Sequence, residues 1–351
     1  MGSLWIKRRL NLLIGGRTMA NGNQCLYRKY QPYFPIGTCV DPKALQTHKD
    51  LIIQHYNSLT AENHMKFALI HPRHEYYDFS AADQIAAFAN DYDKLVRGHT
   101  LVWHNQTPDW VFQDLTGQPI DKAALLKRME EHIHTVVSRY RKHIYCWDVV
   151  NEAVEDKEDT NAVLRDSHWL RIIGPEFIEK AFEYAHAADA NALLFYNDYN
   201  ACTPHKRDKI YNLVKNLKDK GVPIHGIGLQ GHWNIYWPSI DEIRAAIEKY
   251  ASLEVELHIT ELDLSVFKFD DVRTDLKEPT NEMMELQAKR YEGIFKLFRE
   301  YSDVLTSVTF WGAADDQTWL HDFPVKGRTN WPLLFDMNHH PKQAFNRVID
   351  F

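Results

Sequence analysis

Two glutamates stand where an acid could do chemistry: Glu152 closes the apolar run IYCWDVVNE at 144–152, and Glu261 lies in EVELHITELD at 254–263. They are 261 − 152 = 109 residues apart. β-Branched, apolar runs that stop at Asn-Glu or Thr-Glu deliver a carboxylate to the rim of a sheet, and α/β barrels keep their chemistry at the C-terminal ends of their strands. A pair of carboxylates so placed is equipped to cleave a glycosidic bond. One group protonates the leaving oxygen while the other attacks the anomeric carbon or activates water, depending on their separation.

Other polar and aromatic residues gather at the ends of further apolar runs. Glu62 and Asn63 end NSLTAEN (57–63) and Lys66 follows it, and His99, Trp103, His104 and Gln106 lie in or just after LVRGHTLVWH (95–104). Asn151 precedes Glu152. Asn197, Asp198, Tyr199 and Asn200 end ALLFYNDYN (192–200), Gln230, His232 and Trp233 end IHGIGLQGHW (224–233), and Trp311 ends VLTSVTFWG (304–312). Asp263 lies two residues beyond Glu261, so on a strand both side chains face the same way. Sugars present C–H faces to aromatic rings and hydroxyls to Asn, Gln, Glu and His, and these strand ends supply both.

With PIGTCV at 35–40, these runs make eight strand candidates. Between them lie segments with apolar residues recurring at three and four, such as KAALLKRMEEHIHTVVSRYRK and NEMMELQAKRYEGIFKLFREY, which predict helices. Alternating strands and helices imply parallel strands joined by right-handed crossovers, and eight units close a (β/α)8 TIM barrel in a single domain. A doubly wound sheet usually carries a glycine-rich phosphate turn after its first strand, and no such turn follows PIGTCV. The longest irregular stretches, roughly 264–280 and 312–331, follow the seventh and eighth runs and fall on the catalytic face.

Composition narrows the partners. The 351 residues are 44% hydrophobic with a formal charge of −7, which suits a large core and disfavours nucleic acid. No run is long and apolar enough for a membrane span. Cys25, Cys39, Cys146 and Cys202 lack metal-like spacing and read as buried free thiols, pointing to a cytoplasmic location. The start, MGSLWIKRRLNLLIGGRTMANGN, makes a poor signal peptide, and Met19 could be an alternative first residue. The histidine pairs His71/His74, His132/His134 and His339/His340 lack HExxH or Cys/His spacing, so they read as solvated rather than as metal ligands. No metal and no cofactor is expected.

The motifs WHNQTPDW, WDVVNEA, GLQGHW, HITELD and TFWGAADDQTWL, in this order, resemble glycoside hydrolase family 10, the endo-β-1,4-xylanases, from about residue 34 to the end. The likeness is nearest to the intracellular, single-module subgroup. It leaves residues 1–33 as an N-terminal extension and 34–351 as the catalytic barrel. It implies retaining double displacement on xylan or xylo-oligosaccharides, with Glu152 similar to the family's acid/base and Glu261 to its nucleophile. His232 and Asp263 then resemble the nucleophile's support, and Asn151 the residue that binds the sugar 2-hydroxyl. Glu62, Asn63, Lys66 and Gln106 resemble ligands of the second glycone sugar. His99, Trp103, Gln230, Trp311 and Trp319 resemble walls around the sugar being cleaved, with Tyr199 and Asn200 on the aglycone side. The rival readings are another retaining barrel β-glycosidase, a cellulase or β-glucosidase, and a non-catalytic glycan-binding barrel. The first would share both glutamates without Lys66, WHNQ and the TFWG…TW pair, and the second would be expected to have lost a carboxylate.

Overall fold

The computed structural model describes residues 25–160 and 162–351. Its strands are β1 (Ile36–Val40), β2 (Ser58–Ala61), β3 (Leu95–Trp103), β4 (Ile144–Asn151), β5 (Leu193–Asp198), β6 (Gly226–Leu229), β7 (His232–Asn234), β8 (Glu256–Ser265) and β9 (Leu305–Phe310). Neighbours pair in parallel in the order β6-β5-β4-β3-β2-β1-β9-β8, and a further β6–β8 pairing closes the ring. The short β7 pairs only with β8 and prolongs the sixth stave beyond a break at Gln230 and Gly231. The barrel therefore has the eight staves expected, the sixth of them in two pieces.

Among the described residues, eight longer helices cover it: α1 (Lys49–His55), α2 (Ser80–Asp91), α3 (Lys122–Tyr140), α4 (Phe177–Ala188), α5 (Pro204–Asp219), α6 (Ile240–Ala251), α7 (Asn281–Glu300) and α8 (Gln343–Ile349). Local chemistry sets several of their starts. Asp121 accepts from Ala124 N, Thr280 accepts from Met283 N, and Ser239 with Glu242 forms a reciprocal capping box. The strands are buried almost throughout, because helices cover their outer faces and side chains fill the interior, and so they read as continuous apolar runs.

The barrel interior carries one polar layer. Arg97 on β3 grips Asp148 on β4 with two guanidinium nitrogens, and its Nη1 lies 2.6 Å from His258 Nδ1 on β8. A guanidinium only donates, so Nδ1 accepts, leaving the His258 Nε2 proton for Thr306 Oγ1 at 3.1 Å. One level up, Gly98 makes room for an indole: a Cβ there would lie 2.1 Å from Trp147 Cε3.

The packed body begins earlier than the expected boundary at residue 34. Leu26 and Tyr30, in a short helix over Leu26–Tyr30, are fully buried. The Tyr30 hydroxyl donates to Val348 O at 2.7 Å and accepts from Arg299 at 2.9 Å, tying the start of the chain to α7 and α8. A five-residue helix is too short to show periodicity, which is why the sequence hid it. The rest of the expected extension, 1–24, lies outside the described residues. All four cysteines are free and buried.

Candidate active site

The strand ends assemble the predicted polar residues around one mouth. Glu152 follows β4 with φ of +56°, and its N–H is tied to Asn197 O on β5 at 2.9 Å. Both of its carboxylate oxygens meet donors: Trp103 Nε1 at 3.0 Å on Oε2, and Gln230 Nε2 at 2.9 Å on Oε1. It is only half-buried.

Glu261, inside β8, is 5% exposed. Its Oε2 lies 3.1 Å from His232 Nε2, and its Oε1 accepts from Asn197 Nδ2 at 2.8 Å. Burial alone would raise its pKa. The His232 hydrogen bond and the positive fields of His99, His232 and Lys66 outweigh that and hold the carboxyl at about 2. His232 is equally constrained, with Nδ1 2.9 Å from Asp263 Oδ2. Burial pulls its pKa down, but Asp263 and then Glu261 push it up to about 10, so the imidazolium lies between two carboxylates. Asp263 also accepts from Trp319 Nε1 at 2.8 Å.

Parallel register explains this alignment. His232 on β7 pairs with Asp263 on β8, and the kink that allows it falls at Gly231, whose φ of +81° is left-handed. Gln230, 3% exposed, serves both glutamates: its side chain donates to Glu152, and its carbonyl accepts from Glu261 N at 2.7 Å. Asn151 lies 2.9 Å from Asn197 Nδ2, beside the same carboxylates.

Around this centre, Lys66 is 7% exposed, donates to Asn63 Oδ1 at 3.0 Å and sits 4.9 Å from the Trp103 ring centroid. Burial lowers its pKa and raises that of Glu62, each partly offset by the other's charge. His99 backs onto Asp148 at 3.0 Å and packs edge-on against Trp311, which also meets His232. Trp319 packs on the His232 ring with centroids 4.8 Å apart. Gln106 has a φ of +45°, and its carbonyl accepts from Ala68 N at 2.8 Å, tying the third loop to the second. Tyr199 accepts from Arg165 at 2.6 Å and lies under Lys206 Nζ, 3.4 Å from its ring centroid. Asn200 donates to Asp156 at 3.2 Å, beside the Lys206–Asp198 pair.

Sequence reasoning singled out neither Asn197 as the link between Asn151 and Glu261 nor Asp148 as the support of His99. Both lie within apolar runs, and their signal is a polar residue on a strand interior that no loop role explains. The solvated reading of the histidine pairs holds for His74, His134 and His340, which are exposed. It fails for His71 and His132, which are buried with their Nδ1 atoms 3.3 Å apart, brought together from different elements between aromatic rings.

A parallel (β/α)8 barrel with paired glutamates and stacked aromatics on its C-terminal rim has the architecture and equipment of a glycoside hydrolase. The chain matches glycosyl hydrolase family 10 over residues 25–351 and belongs to that family. It is 59% identical to endo-1,4-beta-xylanase B of Paenibacillus barcinonensis over 92% of this chain and 97% of that one. It is 60% identical to an endo-1,4-beta-xylanase of Geobacillus stearothermophilus over 90% and 95%. The crystal structure of xylanase XynB from Paenibacillus barcinonensis superposes with a TM-score of 0.92 at 58% identity, covering 94% of this chain and 99% of that one. That of an endo-1,4-beta-xylanase from Caldicellulosiruptor owensensis gives 0.91 at 54%, covering 93% and 99%.

Proposed function

We propose that the protein is a retaining endo-1,4-β-xylanase in which Glu261 attacks the anomeric carbon and Glu152 is the acid/base. One observation carries the assignment. The two carboxylates share a hydrogen-bonded set through Gln230, Asn151 and Asn197, yet only Glu261 is backed by an imidazolium. A carboxyl held at about 2 is anionic at every working pH and suits attack, whereas Glu152 faces the open rim where a leaving group departs.

In the first step the Glu261 oxygen forms a bond to the anomeric carbon as the glycosidic C–O bond breaks, and the Glu152 proton passes to the departing oxygen. In the second, Glu152 takes a proton from water, whose oxygen displaces Glu261 and restores both groups. Trp311 and Trp319 crowd the space beside His99 and His232, which favours a pentose lacking an exocyclic CH2OH.

Proton NMR of the hydrolysis of xylotetraose tests this reading: the β-anomer should appear first, and a 2-fluoro activated xyloside should label Glu261. An α-anomer first, or label on another residue, overturns it. Cellotetraose run alongside should react far more slowly. A cytoplasmic location, with short xylo-oligosaccharides as the working substrate, is part of the same proposal and is supported by the four unpaired buried thiols. Activity recovered in the culture medium rather than the cytosolic fraction would refute it.

A further inference from the structure

Outside the glycosidase centre, three segments bring together His48, from the loop after β1, Asp316, from the loop after β9, and His339, from the turn before α8. His48 Nε2 lies 2.9 Å from Asp316 Oδ1, and His339 Nε2 lies 3.3 Å from the same carboxylate. The two imidazoles pack with centroids 4.2 Å apart. Three ligand atoms at about 2.0–2.1 Å from a tetrahedral zinc ion are about 3.3 Å from one another, and here each imidazole nitrogen is within 3.3 Å of the Asp316 carboxylate while all three ligand atoms lie within 4.8 Å of one another.

The protons at His48 point the same way. Thr47 Oγ1 lies 3.1 Å from Lys43 O, which can only accept, and 2.8 Å from His48 Nδ1. A hydroxyl has one proton, so both contacts are satisfied only if Thr47 donates to the carbonyl and accepts from Nδ1–H. That leaves Nε2 facing the carboxylate, where it can donate a proton to Asp316 or share a cation with it. Among histidine ligands, an Nδ1–H held by a neighbouring acceptor is the usual way of presenting Nε2 to a metal.

The backbones are held in advance. Asp315, next to Asp316, accepts from Leu333 N at 2.7 Å and from the buried Lys342 ammonium at 2.9 Å. The turn carrying His339 is closed by Asp336 N to His340 O at 2.9 Å and His339 N to Asp336 O at 3.0 Å. His48 is 5% exposed, while Asp316 and His339 are about one-third exposed at 33% and 31%, which leaves one side open to solvent.

We propose that His48, Asp316 and His339 form a site for a divalent transition-metal ion of the zinc type, completed by solvent. Two imidazoles and one carboxylate suit Zn²⁺, Co²⁺ or Ni²⁺ and are too few and too nitrogen-rich for Ca²⁺ or Mg²⁺. The ion would join the first and eighth loops to the C-terminal turn, and the eighth loop is the one that carries Trp319. The site is independent of the glycosidase reading.

Calorimetric titration of the metal-free protein with zinc chloride, together with thermal melting with and without zinc, tests it. Wild-type protein should bind zinc with an affinity that His339→Ala lowers by roughly 100-fold or more. Thr47→Val, which removes only the acceptor behind His48, should lower it by about 10- to 100-fold. Zinc should raise the melting temperature of the wild type and not of His339→Ala, whose metal-free melting temperature should match the wild type because that side chain is partly exposed. A cobalt(II) derivative should show visible d–d absorption that His339→Ala abolishes. Equal zinc binding by wild type and His339→Ala, or no zinc-dependent rise in the wild-type melting temperature, overturns the proposal.

Discussion

His232 and Asp263 are partners in the β7–β8 register, and the imidazole Nδ1 lies 2.9 Å from the aspartate Oδ2. This pair keeps the ring cationic, and the ring in turn holds Glu261 anionic. Asp263→Asn should therefore weaken the charge-assisted bond to Glu261. With such bonds contributing about 1.5–3 kcal/mol, kcat should fall roughly 10- to 150-fold. The folded pKa of Glu261 should rise from about 2, moving the acidic limb of the kcat/KM profile to higher pH. An acidic limb left in place with reduced kcat would mean that Asp263 does not act through His232.

Under the proposed mechanism, Glu152→Ala removes the proton donor. Hydrolysis of xylan should drop by at least roughly 10²–10⁴-fold while activated aryl xylosides, which need little protonation, are spared. Added azide should yield β-xylosyl azide from the activated substrate. Equal losses across leaving groups, without azide product, would remove Glu152 from the role.

Stability should have an acid-sensitive side. Burial lowers the pKa of His55 and His71 from 6.5 to about 4 and that of His132 further. Between about pH 6.5 and 4 the unfolded chain therefore binds more protons than the folded one, and folding loses up to about 1.4 kcal/mol per pH unit for each such histidine. Glu261 adds stability that is present above its ordinary value of 4.5 and lost as pH falls toward about 2. His232 acts at the other end: its contribution is complete below 6.5 and lost as pH rises through about 10. Melting temperatures measured across pH should fall on acidification below about 6.5, and less steeply in His71→Gln, and fall again as pH rises from about 6.5 toward about 10. A flat profile from 6.5 to 4 would contradict the argument.

Gly98→Ala would set a methyl group inside the Trp147 indole, at 2.1 Å from Cε3. Overpacking of this kind costs at least about 1–3 kcal/mol, so the denaturation midpoint should drop, and shrinking the indole with Trp147→Leu in the double variant should cost less than the two single losses added together. An unchanged midpoint in Gly98→Ala would show that the ring can move aside.

The legible part of this molecule was whatever strand periodicity exposes. Glu261 and Asp263 share a face because side chains alternate, and Glu152, Gln230 and His232 end apolar runs, so the centre could be read before any coordinates. Residues that act from inside the barrel were not legible. Arg97, Asp148 and Asn197 find their partners on other strands, and nothing in their own segments marks the pairing. The break in the sixth stave was hidden as well, because the run through Leu229 and Trp233 looks continuous until Gly231 adopts its left-handed φ. His48 and Asp316, 268 residues apart, belong to no spacing pattern at all.

The left-handed backbone at Glu152 sets main-chain strain against side-chain hydrogen bonding at a single position. A non-glycine residue held at φ of +56° is strained by on the order of 1 kcal/mol, a burden that glycine would not carry. Replacing this glutamate with glycine would relieve that strain but strip Trp103 Nε1 and Gln230 Nε2 of their acceptor, at a cost of about 1–3 kcal/mol for each donor left buried. The side chain that the left-handed backbone holds out is thus anchored by its neighbours on two staves, and the same contacts that fix its direction offset the strain of holding it there.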